Sequence, residues 1–149
     1  MLPDTKPDDT FDYTIQGNIE SAVDISGKIL DFCVSHSIDK KIANALGIAS
    51  EELISNIASY GKLDRKNNYI DLSLILQDDK ILLRIRDNGI PFDPTGWQRS
   101  EPSTEPSVSG LEIVRVMCHN FTYTRVLNLN NTVIEMKRSW LYSLYGFLG

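Results

Sequence analysis

The sequence predicts an α+β protein, a two-layer α/β sandwich in which a mainly antiparallel sheet carries its helices on one face. Three observations predict it. Five stretches alternate apolar and polar residues with the period of a strand. Three others repeat apolar residues at helical spacing. Their order is strand, two helices, two strands, a loop, a helix and two strands, and helices gathered on one side of the sheet bury all of these apolar faces together. The chain has 149 residues, which at roughly 150 residues per domain is one domain.

Residues 1–10 are rich in Pro, Asp and Thr and are expected to be disordered. Phe11, Tyr13 and Ile15 then alternate with Asp12, Thr14 and Gln16 as a strand. Gly17-Asn18 turns the chain, and Asn18 can cap the next element. Ala22, Ile25, Ile29, Phe32 and Cys33 predict an amphipathic helix over 19–35. Ile42, Leu46, Ala49, Leu53 and Ile57 stripe a second helix from about Asp39 to Tyr60, with Gly61 as its terminator. Ile70, Leu72, Leu74 and Leu76, then Ile81, Leu83 and Ile85, alternate on either side of Asp78-Asp79 as a hairpin. Residues 87–108 hold Pro91, Pro94, Pro102 and Pro106 and cannot be regular structure. Leu111, Val114 and Cys118 predict a third helix from Gly110 to about Asn120. Two strands come next, near 121–127 and 132–138, joined by Asn128 to Asn131. The domain is expected to span 11–138, with an apolar tail at 139–149.

Composition excludes several function classes. Fifteen Lys and Arg stand against twenty Asp and Glu, a net charge of −5. Such a chain lacks the basic footprint that a phosphate backbone needs, so nucleic acid is not an expected partner. The N-terminus shows neither the basic region nor the apolar stretch of a signal peptide, and no segment reaches the ~18 apolar residues of a membrane span. Two cysteines make no disulfide framework. A reduced cytoplasmic setting is therefore expected, without a membrane partner. Cys33-x-x-His36 and Cys118-His119 match no zinc spacing, and both thiols are expected to be buried on helix faces.

Three segments carry candidate chemistry. Glu52 and Asn56 are four apart, so on the second helix they share a face one turn apart. A carboxylate and a carboxamide at a core edge can hold a Mg²⁺ ion and a water, or be a solvated helix face. Asp87-Asn-Gly-Ile-Pro-Phe-Asp-Pro94 begins where a strand ends. Gly89 there permits positive φ and close approach of a ligand. An acidic side chain beside it is placed to accept from an exocyclic amine. The alternative is an ordinary Asn-Gly turn. Ser109-Gly110 opens the third helix, where a phosphate can be received, or where a helix simply starts.

In this order and spacing the three segments resemble the GHKL, or Bergerat-fold, ATPase superfamily over about residues 11–138. Glu52…Asn56 resembles its N box, Asp87-x-Gly89 its adenine-side box, and Ser109-Gly110-Leu111 the end of its ATP lid. The short length, the Pro-Phe-Asp-Pro run and the compact lid are most similar to bacterial anti-sigma factor serine kinases. That resemblance implies ATP and Mg²⁺ as cofactors, with Glu52 as general base towards a water or an acceptor serine. It implies Asn56 on Mg²⁺, Asp87 accepting from the adenine amine, Gly89 beside the ring, and Ser109 and Gly110 facing the phosphates. It implies an anti-anti-sigma protein of the STAS type and a sigma factor as partners. Tyr60 stands where relatives often carry His or Tyr, and core packing is the expected role.

The chain departs from the pattern at the end of the lid. Relatives show Gly-Gly-Leu-Gly, whereas this chain reads Ser109-Gly110-Leu111-Glu112. A carboxylate about 4 Å from the phosphates would cost about 4 kcal/mol at an effective dielectric of 20. One pointing to solvent would cost less than about 1 kcal/mol. Between Asp87 and Gly110 the lone basic residue is Arg99, and Arg115, a turn into the helix, is either a second cation or a solvated charge. Two readings therefore stand. One is an active serine/threonine protein kinase that phosphorylates a small antagonist and regulates transcription through its partners. The other is a binding module of the same fold, weak or inactive in catalysis, that sequesters a partner. A signalling-kinase catalytic domain is disfavoured, because no phosphoacceptor helix pair precedes the N box here. The tail from Trp140 to Leu148 is apolar and either packs on the domain or contributes to a homodimer.

Overall fold

Alternation and helical spacing resolve into eight elements. The structure, a computed structural model, describes residues 9–16, 24–96 and 110–138. They form β1 (Thr10–Gln16), α1 (Ile25–Ser35), α2 (Lys40–Tyr60), β2 (Tyr69–Leu76), β3 (Lys80–Asp87), α3 (Gly110–Met117), β4 (Asn120–Val126) and β5 (Leu129–Lys137). The Gly17-Asn18 turn, the start of the first helix, Arg99, Ser109 and the apolar tail lie outside the described residues.

The sheet is antiparallel throughout, in the order β1-β2-β3-β5-β4. Its period of two sends one set of side chains toward the helices. Leu74, Leu83 and Ile134 form one buried row across three strands, and Leu76, Ile81 and Met136 form the next. Against these rows α1 places Ile25, Ile29 and Cys33. Helix α2 places Ala43, Leu46, Ala49, Leu53, Ile54 and Ile57, and α3 places Leu111 and Val114. Burying a Leu or Ile contributes about 1.5–3 kcal/mol each, so this two-layer core is the main source of stability. The expected α2 stripe is rotated slightly, because Ala43 is buried while Ile42 is only half-buried. Helices α1 and α2 approach closely at Gly47, where an added Cβ would lie 3.2 Å from that of Ser26.

Helix ends explain where the chain turns. Asp39 caps α2 by accepting from Lys41 N at 2.8 Å. Both α1 and α2 end in a Schellman arrangement. Ile38 N donates to Cys33 O and Ser37 N to Val34 O. Leu63 N donates to Ala58 O and Lys62 N to Ser59 O. The left-handed residues are Ser37 (φ 60°) and Lys62 (φ 54°). Gly61 is therefore the last cap residue, at φ −78°, and not the left-handed position expected of a terminating glycine. A side chain at Gly61 is excluded for another reason: its Cβ would lie 2.5 Å from Ile57 O.

Two boundaries differ from expectation. Helix α3 ends at Met117, because His119 N is already paired to Glu135 O at 2.7 Å as the chain enters β4. The β4–β5 turn is Leu127-Asn128, not Asn128 to Asn131. Both residues have positive φ (53° and 64°), and Val126 pairs with Leu129. This two-residue hairpin matches the strand twist. It returns Asn130 and Asn131 to β5 and so brings Asn130 alongside Asp87.

Candidate functional site

The end of the sheet nearest the α2 C-terminus holds one row of mixed chemistry. Ile15, Ile70, Asp87, Asn130 and Arg125 lie side by side on five strands. Asp87 and Asn130 are each 1% exposed. Asp87 Oδ1 accepts from Gly89 N and from Asn130 Nδ2, both at 2.9 Å. The described bonds to Asp87 all fall on Oδ1, and Oδ2 takes none of them. Burial pushes the Asp87 carboxyl above the usual carboxylate range, while the Asn130 amide, the Gly89 N–H and the Arg125 charge pull it back.

Asn130 organises this row. Its Nδ2 also donates to Ile90 O (2.9 Å) and, longer, to Gly89 O (3.4 Å). Its Oδ1 accepts from Arg125 Nη1 at 2.8 Å and from the Tyr123 hydroxyl. Thr132, two residues on and on the same face, is 1% exposed. Its Oγ1 is buried with no hydrogen-bond partner among the described residues. An orphaned buried hydroxyl is costly, and a ligand is one way to satisfy it.

The turn after Asp87 is pinned to its surroundings. Gly89 does not take positive φ. The backbone leaves it no room instead: an added Cβ would lie 2.6 Å from Gly61 O and 2.7 Å from Leu63 Cδ2. Ile90 N donates to Gly61 O at 3.0 Å and docks the turn onto the end of α2. Asn88 points away from Asp87. It accepts from Tyr69 N (3.0 Å) and donates to Asn67 O (2.9 Å). Tyr60, 44% exposed, is not core. It stacks on Phe92 with ring centroids 5.0 Å apart, which ties the loop after Gly89 to α2.

Glu52 and Asn56 stand higher on α2, both half-buried. At 1.5 Å rise per residue, Asn56 is about 8 Å and Glu52 about 14 Å above Gly61 along the helix. Asn56 Nδ2 donates to Glu52 O at 2.7 Å and to Glu52 Oε2 at 3.4 Å. The carboxamide is thereby oriented, with Oδ1 outside these bonds. One helix thus carries a carboxylate and an amide oxygen in its C-terminal half and receives the Asp87–Gly89 turn at its C-terminal end.

The loop beyond this turn is closed at its base. Arg115 Nη2 donates to Thr95 O at 2.8 Å and Pro94 O at 3.3 Å. It is part-buried and bonded to backbone carbonyls, so it is not the solvated charge that is the alternative to a second cation. It fastens α3 to the start of the loop. Gly110 opens α3, and Glu112 is exposed in its first turn. Ser109 lies outside the described residues. A water-screened carboxylate such as Glu112 costs a neighbouring anion less than about 1 kcal/mol.

Alternate positions on β5 could have revealed Asn130 and Thr132. Both share the parity of Ile134 and Met136, so two polar side chains belong on the buried face. Cys33 is buried and its thiol is pushed up to about 11 by burial, while Cys118 is half-buried and raised for the same reason. No group of three or more potential metal ligands from His, Cys, Asp and Glu occurs among the described residues. Nor is any described helix long and apolar enough to cross a membrane. No curated protein matches the chain. The family model for the histidine kinase-like ATPase domain matches residues 18–138, a span that includes α2, the Asp87–Gly89 turn and α3. With most of its length covered by that model, and with an antiparallel sheet that carries its helices on one side, this chain belongs to the histidine kinase-like ATPase domain family, an ATP-binding module.

Proposed function

We propose that the chain is an ATP-dependent serine/threonine protein kinase of the anti-sigma type, acting on a small protein antagonist. The observation that carries the reading is the buried Asp87, held through Oδ1 with Oδ2 outside the described bonds, beside the Thr132 hydroxyl, which has no partner among the described residues. A carboxylate oxygen and a hydroxyl side by side on the buried face of the sheet end fit the amine and ring edge of adenine. The oxygens of Asn56 and Glu52, about 8–14 Å along α2 from that end, fit a magnesium-bound phosphate chain. Bound Mg²⁺ supplies charge neutralisation of the phosphates, which an acidic chain needs more than most.

In this reading Asp87 accepts from the adenine amine, and Gly89 keeps the turn packed on α2. Asn56 holds Mg²⁺ through Oδ1. Glu52 takes the proton from an acceptor serine hydroxyl as its oxygen bonds to the γ-phosphorus. The bond from that phosphorus to the β–γ bridging oxygen breaks, and ADP leaves. Ser109 and Gly110 would face the phosphates. The partners are a STAS-type antagonist and a sigma factor, and the setting is the cytoplasm.

The test is transfer of labelled phosphate from Mg-ATP to a STAS-domain protein. Glu52→Ala is expected to abolish transfer while leaving nucleotide binding within about twofold, since general-base removal typically costs ~10²–10⁴ in rate. Transfer that survives in Glu52→Ala contradicts the role of Glu52. A second reading has one observation in its favour, Glu112 where relatives carry glycine. In that reading the chain sequesters its partner without catalysis. Nucleotide binding that Glu112→Gly tightens by more than about tenfold supports it, and unchanged affinity supports the kinase.

A further inference from the structure

We infer that Asn130 is a positioning residue: it holds Asp87 as a hydrogen-bond acceptor, and so makes the site choose a purine bearing an exocyclic amine over one bearing a carbonyl at that position. The inference rests on the proposed nucleotide for its ligand, and on the geometry of the row for its mechanism.

The orientation of the Asn130 amide is dictated by its neighbours. Arg125 is a donor only, and its Nη1 lies 2.8 Å from Asn130 Oδ1. The Tyr123 hydroxyl donates to the same oxygen. A flipped amide would set its NH₂ against a guanidinium. With Oδ1 facing β4, Nδ2 must face β3, where it reaches Asp87 Oδ1 at 2.9 Å and Ile90 O at 2.9 Å. Asp87 Oδ1 therefore receives two N–H donors, one from Asn130 and one from Gly89. Donors of this kind favour the ionised carboxylate, and burial opposes it.

Protonation would reverse the chemistry of Asp87. An ionised Asp87 offers Oδ2 as an acceptor to an amine. A protonated one places an O–H there, which suits a carbonyl and repels an amine. The charged and titratable groups set around the turn are few. Tyr123 and Arg125 come from β4. Lys62, Asp64 and Arg65, just past α2, line a cleft of about 380 Å³ on the outer side of Gly89, with Arg125 at its edge. Glu52 is farther along α2, and Arg115 of α3 is turned to the Pro94 and Thr95 carbonyls. The described donors to the Asp87 carboxylate are Asn130 and the Gly89 backbone alone, so Asn130 is the one side chain whose removal takes a hydrogen bond from it.

Asn130→Thr and Asn130→Val separate positioning from packing. The two replacements have nearly the same shape, and the first retains a hydroxyl that can donate to Asp87. The experiment follows the ¹³C carboxyl signal of Asp87 against pH in the nucleotide-free full chain, and measures Mg-ATP and Mg-ITP binding by calorimetry. We expect a higher Asp87 midpoint in Asn130→Val than in Asn130→Thr. We expect the ATP-over-ITP preference to fall by about tenfold or more in Asn130→Val, the scale of one charge-assisted hydrogen bond, and to be restored towards wild type in Asn130→Thr. The loss should deepen as pH falls. Equal midpoints in the two variants overturn the inference, whether or not nucleotide binds. Separated midpoints with no binding of either nucleotide by wild type overturn the nucleotide reading and its purine choice, and support the hold of Asn130 on Asp87. If Asn130→Val does not fold, Arg125→Gln and Tyr123→Phe, both on the edge strand, remove the contacts that orient the amide. They must then raise the Asp87 midpoint, and an unchanged midpoint in both overturns the inference.

Discussion

Asp87 is destabilising where it sits, and in the proposed function nucleotide recognition depends on it. Its carboxyl is raised by burial, so the folded state binds its proton more tightly than the unfolded chain does. Stability from this group is full below the ordinary carboxylate range and is lost as pH rises through the raised folded value. Asp87→Asn keeps an oxygen for the Gly89 and Asn130 donors and removes that pH dependence. It should melt at the same or a higher temperature than wild type at neutral pH, by differential scanning calorimetry, while its Mg-ATP affinity falls by about 10–100-fold. A protein that loses both stability and binding would point to a purely structural Asp87. Gly89→Ala should behave in the opposite way. Its new methyl meets Gly61 O and Leu63, so the melting temperature should drop, on the scale of about 1–3 kcal/mol for an overpacked site. Glu52, Asn56, Asp87 and Gly89 were all legible as a spaced set. Asn130 was not, because the run Asn128-Leu129-Asn130-Asn131 reads as a turn. Its burial against Asp87 overrode the weak strand propensity of asparagine.

Elements were legible where one apolar face was long. The α2 stripe and the β2–β3 alternation run for several periods, and their ends fall within a residue or so of expectation. Short elements went differently. Helix α3 stops at Met117, because pairing of His119 with β5 takes over the backbone. The terminator of α2 is a Schellman turn whose left-handed residue is a lysine, a choice that no glycine pattern signals. The placement of α3 also depends on one side chain. Arg115 ties it to the Pro94 and Thr95 carbonyls and so brings together the two ends of the loop between them. Arg115→Ala should destabilise the protein by about 1–3 kcal/mol, the cost of stranded charge-assisted partners. Amide hydrogen exchange should quicken in residues 95–96 and 110–117 more than in β2 and β3. Uniform exchange across both regions would contradict the local role of Arg115.

At the scale of the whole molecule, the sandwich is a device for facing one helix with one sheet end. Four antiparallel pairings build the row that holds Asp87, and α2 runs from that row past Glu52. Net charge bears on the same question. A chain at −5 holds a polyanion only with help from a metal ion and from well-placed donors. The fold class and the element order could be read from periodicity, since each depends on many residues at once. The contacts that pin the Asp87 turn and α3 could not, because they are individual pairings such as Asn130 with Asp87 and Arg115 with Thr95. Recognition of ATP through Asp87 is tested most directly by isothermal titration of the full chain with Mg-ATP, beside the same titration of Asp87→Asn. The expected result is saturable one-to-one binding by wild type and a loss of about 10–100-fold in Asp87→Asn, which remains folded. No heat of binding to wild type at millimolar nucleotide, or equal affinity in both proteins, would contradict it.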